Sequence, residues 1–553
     1  MSDWQARAGT QFTPRKQPAM GARGMVVTNH PAASAAGAQI LAEGGNAVDA
    51  AVAAILALSV CEPMMVGLFG GGLMHLADPE GRHEVLDGMA CAPFAARPEM
   101  FEGRDPRKQS LGGLSVAVPA NLLAWEAALK RHGRCSMADV IAPAIRLAER
   151  GFIVSGYLNE CIQETAADLR LDAGMARLFL PDDAPLAPGA RLVNAALGET
   201  LRAIAAEGAD ALHQGDLGGS ASHDLARKGG MITTDDLAAA KVIQRDAVRG
   251  SYRGVDVYGP PPPSAGGVHV IQMLNLLEAY DIAACGFGTP ATLHLIAEAL
   301  KMAFADRAVA TADPAFLKVP VAKLISKEYA AERRAFLDLA RAKSWAAGLT
   351  NHESANTTHI TVADHEGRIA CCTHTINSLF GAKILLRESG LIPNNYMALF
   401  DPRPGLAQSI EPGKRVTTSM SPLILRRDGK PYAALGLPGG LRIFASTFQA
   451  VMNLVDHGMS VQQAVEAPRA WTMGGPLELE PGFGAETRAA LAEMGHEVLA
   501  VPHVAGGMGA IRFHGDGMME GASCWRADGA PIGMGGGPAS PGVRFFPDAV
   551  RPG

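Results

Sequence analysis

Two threonines and an asparagine carry the spacing from which chemistry can be read. Thr357 opens the run Thr357-Thr358-His359-Ile360-Thr361-Val362-Ala363-Asp364, and a second run ends Thr373-His374-Thr375-Ile376-Asn377. Between them lies Asp364-His365-Glu366-Gly367-Arg368, which carries turn residues and almost nothing apolar. Segments rich in Thr, Ile and Val on both sides of such a turn predict a β-hairpin. With the turn centred near Glu366, facing residues sum to about 732, so Thr357 faces Thr375 with Cβ atoms roughly 5 Å apart. Side chains alternate along a strand, which puts Asn377 on the same face. Two hydroxyls and an amide then converge at the start of a strand, a combination that sheet stability does not require. The plain structural alternative is a Thr-rich ladder between strands.

The elements that must position this hairpin are legible in outline. Hydrophobic residues make up 48% of the 553 and charged residues 19%, a globular balance with ample material for a core. A strand is predicted over 24–28 and Ala-rich helices over 32–41 and 46–59, split by Gly44-Gly45. Glycines 67 and 70–72 lead into a strand around 74–76, followed by another over 83–86. They lack the Lys-Ser/Thr ending and the spacing of a phosphate loop, and read as strand and turn. Helices follow over 122–132, 137–151, 197–207, 234–241, 268–280 and 292–310, with Pro260 to Pro263 a stiff extended spacer. The segment 340–355 is polar, and after the hairpin come strands over 423–427 and 433–437 and helices over 444–456 and 484–494. Helices interleaved with hairpin strands, without regular βαβ repeats, favour helical layers around antiparallel sheets.

Composition narrows the function classes. A net charge of −6 with no Lys/Arg block leaves no electrostatic footprint for nucleic acid or an anionic membrane. The eight cysteines form no Cys-x-x-Cys pair and read as reduced, mostly buried thiols. The polar stretch 1–17 lacks the apolar core of a secretory signal, and the longest apolar run, 50–61, is too short to span a bilayer, so a soluble cytoplasmic protein is expected. His352, His359, His365 and His374 cluster in sequence without zinc-ligand spacing, and His359 and His374 are expected on segments whose side chains alternate with the nucleophile face. Structural histidines are the expectation, with no metal and no cofactor. No Gly-x-Ser-x-Gly elbow supports a Ser-His-Asp hydrolase.

Six motifs in order then resemble one family. Residues 357–381, Gly44 to Ala51, Pro261-Pro262-Pro263-Ser264 with Gly266-Gly267-Val268-His269, Ala305-Asp306-Arg307, Ser419-Met420-Ser421-Pro422 and Pro438-Gly439-Gly440 are similar to the γ-glutamyltransferase family of N-terminal nucleophile hydrolases. The resemblance implies an α+β, four-layer αββα sandwich. It also implies a cut between Asn356 and Thr357, giving a large subunit (1–356) and a small one (357–553) that together form one unit. A Thr hydroxyl is a weak nucleophile at neutral pH, and an N-terminal amine with a pKa near 8 supplies a base within the same residue. In the precursor, by resemblance, Thr357 Oγ attacks the Asn356 carbonyl. In the mature protein it attacks a substrate amide, with Thr375 orienting it and Gly439 and Gly440 giving backbone N–H groups to the oxyanion.

The departures from the family bear on the substrate. A γ-glutamyl enzyme holds an α-carboxylate and an α-ammonium with a fixed cation and fixed acceptors. The family's Arg aligns with Met89, and its acidic positions after Asn394-Asn395 are replaced by Tyr396-Met397-Ala398-Leu399. Asn377, Thr418 and Ser419 match positions that contact substrate. This pattern is closer to the family's cephalosporin-acylase branch and its oxamate-hydrolysing relatives, and implies an acyl donor without the α-amino acid head. Two other readings stand beside it: a γ-glutamyl hydrolase or transpeptidase acting on glutathione, with a clamp rebuilt from Arg387 or Arg442, and a non-catalytic binding protein on the same fold.

Overall fold

The computed structural model describes residues 4–345 and 357–537. Asn356, His352 and most of the polar segment before the hairpin lie outside the described residues. Two seven-stranded sheets form the centre. In chain order their strands are β1 (Ala19–Gly21), β2 (Gly24–Thr28), β3 (Gly71–Ala77), β4 (His83–Gly88), β5 (Ile243–Asp246), β6 (Val248–Tyr252) and β7 (Val255–Gly259). After the gap come β8 (Thr358–Asp364), β9 (Ile369–Thr375), β10 (Leu423–Arg427), β11 (Lys430–Gly436), β12 (Gly509–Phe513), β13 (Met519–Ser523) and β14 (Ala530–Met534). One sheet runs β1-β13-β12-β11-β10-β7-β6 and the other β14-β2-β8-β9-β3-β4-β5. Both sheets mix strands from before and after Thr357, so the two halves of the sequence share one fold.

The sheets pack face to face over a small apolar layer that includes Met25, Val27, Ile369, Cys371, Ile424 and Ile511. Each outer face carries helices. Helices α1 (Pro31–Ala42), α2 (Ala47–Cys61), α3 (Asn121–His132), α4 (Met137–Arg150) and α5 (Gly156–Leu169) cover the hairpin sheet. Helices α6 (Gly266–Leu277), α7 (Pro290–Ala310) and α8 (Ile443–Val455) cover the other. This is the expected αββα sandwich. Among the described residues no helix is long and apolar enough to cross a membrane, and all eight cysteines are free.

Helix α2 sets the position of the hairpin. Asn46 caps it, accepting from Val48 and Asp49 while Asp49 returns a bond to the Asn46 N–H, which meets the unpaired donors of the first turn. Asp364, at the end of β8, accepts from Ala47 N–H at 2.9 Å and so also sits at the positive end of the helix. Every residue of α2 is buried. At about 1.5 Å per residue the helix is as long as β8 and runs antiparallel to it, from the hairpin turn to the Thr358 end.

Candidate active site

The hairpin pairs in the expected register, from Thr358 opposite His374 to Ala363 opposite Ile369. Thr357 stands one residue before β8, across from Thr375, and the two are 3% and 4% exposed. Odd-numbered side chains of the hairpin, Ala363, Ile369 and Cys371, enter the layer between the sheets. Even-numbered ones, Ile360, Val362, Ala370 and Cys372, enter the helix side. By this alternation Thr357 and Thr375 both belong to the layer between the sheets, at its open end.

Thr375 Oγ1 accepts from Asn377 N–H at 2.7 Å. Asn377 has a φ of +79°, a region Asn enters more readily than most residues. Its Nδ2 donates to the Asn395 carbonyl at 3.3 Å and to Asn395 Oδ1 at 3.0 Å. Asn395 is fixed in turn through Ser110 and Ser378. The Tyr396 hydroxyl donates to the Gly71 carbonyl at 3.3 Å and reaches the Thr375 carbonyl at 3.5 Å. A Cβ on Gly71 would lie 2.7 Å from Ala90 N and 3.2 Å from the Tyr396 ring, so glycine is required for this approach. The run of glycines is thus strand and turn, as its missing phosphate-loop pattern suggests.

Through Ala90 the expected specificity residues join the cluster. Met89 is fully buried and Leu399 is 4% exposed, and with Tyr396 both belong to the large apolar core on the side of α6, α7 and α8. Asp87, which accepts from Met89 N–H, holds two arginines from distant segments, Arg245 at 2.8 Å and Arg415 at 3.6 Å. Val416 N–H donates to the Ala90 carbonyl at 3.2 Å, bringing Thr418 and Ser419 alongside. Ser419 Oγ is buried with no hydrogen-bond partner among the described residues. Arg442 is bonded through two nitrogens to Glu478, at 2.8 and 2.5 Å, and Arg387 is exposed.

Strand β11 ends at Gly436, where a Cβ would lie 2.3 Å from the His359 ring, two residues along from Thr357. The chain continues past the open end as Pro438-Gly439-Gly440. Gly439 and Gly440 have φ values of +149° and +55°, and lead into α8. These are conformations that favour glycine. Both residues are buried, and neither N–H has an acceptor among the described residues.

One expectation about the histidines is corrected. His374 does point to the helix side, against Trp125 at 3.3 Å, but His359 shares the face of Thr357 because the two differ by two positions. Its ring nitrogens lie 2.9 Å from Thr373 Oγ1 and 2.8 Å from Thr361 Oγ1. Burial pushes both imidazoles down to about 3, so both are neutral. The described residues hold one group with metal-ligand character, His294, Glu298 and His496, away from the hairpin. There Glu298 is already paired with Lys301, whose Nζ lies 2.8 Å away. Sequence reasoning missed Glu62, whose carboxylate accepts from the Thr358 hydroxyl at 2.6 Å. The contact spans 296 positions, and no local pattern announces it.

Residues 33–534 match the family described as Gamma-glutamyltranspeptidase. The chain is 55% identical over 544 residues to the Acylase ACY 1 proenzyme of Pseudomonas sp. (strain SE83), covering 97% of this chain and 98% of that protein. It is 36% identical over 527 residues to the glutathione hydrolase proenzyme of Escherichia coli (strain K12), covering 92% and 91%. The crystal structure of cephalosporin acylase from Bacillus halodurans is similar at a TM-score of 0.87 and 27% identity, covering 95% and 98%.

Proposed function

The chain belongs to the gamma-glutamyltranspeptidase family, and from that premise we propose that it cuts itself before Thr357 and then works as an N-terminal threonine acylase on amides whose acyl group lacks an α-amino acid head. The observation that carries the substrate reading is that Met89 and Leu399, standing where the resemblance expects a cation and an acceptor, are both buried apolar side chains, while Arg245 and Arg415 are paired with Asp87 and Arg442 with Glu478.

In the precursor the Thr357 hydroxyl attacks the Asn356 carbonyl, the peptide nitrogen leaves as the Thr357 amine, and water hydrolyses the ester. In the mature protein that amine takes the hydroxyl proton as Oγ attacks the substrate amide. The negative oxygen faces the Gly439 and Gly440 N–H groups, the leaving amine receives the proton, and water releases the acyl group. The unpaired Ser419 hydroxyl is suited to a polar atom of the acyl chain, since leaving it unmet costs about 1–3 kcal/mol.

The test is a pair of donors that differ only in the head group. Wild-type protein should show a higher kcat/KM on glutaryl-p-nitroanilide than on γ-glutamyl-p-nitroanilide. The opposite order would hand the site to the γ-glutamyl reading.

Thr375 gives a second expected outcome. Thr375→Val keeps the shape of the strand end but removes the oxygen that holds Asn377 N–H and faces Thr357. Correctly processed protein should lose about 10²-fold in kcat, the scale of one catalytic hydrogen bond, with little change in thermal midpoint. Full turnover in that variant would remove Thr375 from the mechanism.

A further inference from the structure

Glu62 forms the C-cap of α2, is 2% exposed, and holds the hydroxyl of Thr358. Its loop braces the open end of the hairpin, with Ile376 N–H on the Met65 carbonyl and Phe380 N–H on the Met64 carbonyl. The titratable groups facing its carboxyl are Cys61 of its own helix, Tyr157 and Cys161 of α5, and Asp528 before β14. None of them is a cation. Glu62 also sits at the negative end of the α2 dipole, which disfavours an anion. Burial pushes its carboxyl up to about 8, against the opposing bond from Thr358 and with Asp528 adding to the rise. A buried carboxylate without a partner charge is costly, and among the described residues its side-chain hydrogen bond is to a neutral hydroxyl.

A cut before Thr357 changes this, because it creates an α-ammonium on the residue next to Thr358. We propose that Glu62 is the counter-charge of the new Thr357 α-amine, and through it sets the pH at which that amine becomes a free base. The proposal rests on the reading of Thr357 as the N-terminal nucleophile. Glu62 touches neither substrate nor the reacting hydroxyl and acts as a positioning residue. At rest the amine keeps its proton and Glu62 is ionised. Raising the pH releases that proton to solvent and leaves the base that accepts the hydroxyl proton during attack. An opposite charge nearby stabilises the ammonium, so Glu62 raises the amine pKa and moves the acid limb of kcat/KM to higher pH.

Glu62→Gln keeps the size and a hydrogen-bond acceptor but removes the charge. It should self-cleave at the wild-type rate, since no amine exists before the cut. Its acid limb should move down by about one unit, a tenfold change in free amine at a pH on the limb. The amine pKa read directly, by pH-dependent competitive labelling of Thr357 and mass analysis, should fall by the same amount. Thr358→Val, which keeps the carboxylate and loses only the hydrogen bond, should leave the limb where wild type has it. A processed Glu62→Gln protein with an unmoved limb and labelling curve overturns the proposal, as does an equal shift in Thr358→Val. Failure of Glu62→Gln to self-cleave also overturns it, because that places Glu62 in the cutting step. Wild-type protein that is not cut at Thr357 would instead overturn the nucleophile reading, before any variant is made.

Discussion

Thr357→Ala should yield a single uncut chain with no measurable amidase activity, whereas wild-type protein should resolve into two fragments, the second beginning at Thr357. One atom accounts for both losses. Without Oγ there is no attack on the Asn356 carbonyl, so no α-amine is released, and the mature site lacks nucleophile and base together. Removing a nucleophile that acts as one unit with its base costs about 10⁶-fold in kcat. The fold should survive. Thr357 stands outside the paired part of the hairpin, and the six pairs from Thr358 to Ala363 fix the register without it. Intact-mass analysis, terminal sequencing and a thermal melt check the three parts of this expectation. Thr357→Ser, which restores an oxygen at the same position, should again be cut. An uncut wild-type chain that still hydrolyses amides would remove the mechanism at its root.

The hairpin was legible because two independent local signals agreed: alternation set the faces and a short turn set the register. That agreement carried the pairing to the residue. Helix α2 was equally plain, bounded by Gly44-Gly45 and a long apolar run. The four-layer arrangement came through family resemblance, since alternation cannot say which sheets face each other. Strands β5 and β6 were not foreseen; Ile243–Asp246 is polar and half-exposed, held by pairing, and Val248–Tyr252 is short, with Val248 and Tyr252 buried on either side of an Arg-Gly-Ser stretch that hides the strand pattern. Strands β12 to β14 lie among glycines whose close packing, as at Gly509 against Val27 and Gly521 against Met25, replaces the usual side-chain pattern. The role of Asn395 behind Asn377, and of Glu62 behind Thr358, depends on contacts between distant segments. Sequence spacing carries no trace of those.

Met89→Arg together with Leu399→Asp should move the donor preference toward γ-glutamyl amides by about 10³-fold in relative kcat/KM, within the range that a site built for polar groups commands. On the proposed reading, a zwitterionic head would meet the buried apolar side chains of Met89 and Leu399 in the wild-type protein. The ammonium and carboxylate lose water without gaining partners, a loss on the order of several kcal/mol. The nearby arginines do not relieve it. Arg245 and Arg415 lie on Asp87, and withdrawing either would leave that fully buried carboxylate short of a partner. Installing one new cation and one new anion supplies both halves of the head group and keeps the local charge neutral, so the two changes should act together. Met89→Arg alone buries an unmatched guanidinium and should lower the thermal midpoint more than the pair does. Parallel kcat/KM measurements on glutaryl and γ-glutamyl anilides, with melts of the single and double variants, separate the outcomes. If the double variant folds, is processed and keeps its preference for the glutaryl donor, Met89 and Leu399 do not face the acyl head, and specificity must be written by other residues of the pocket.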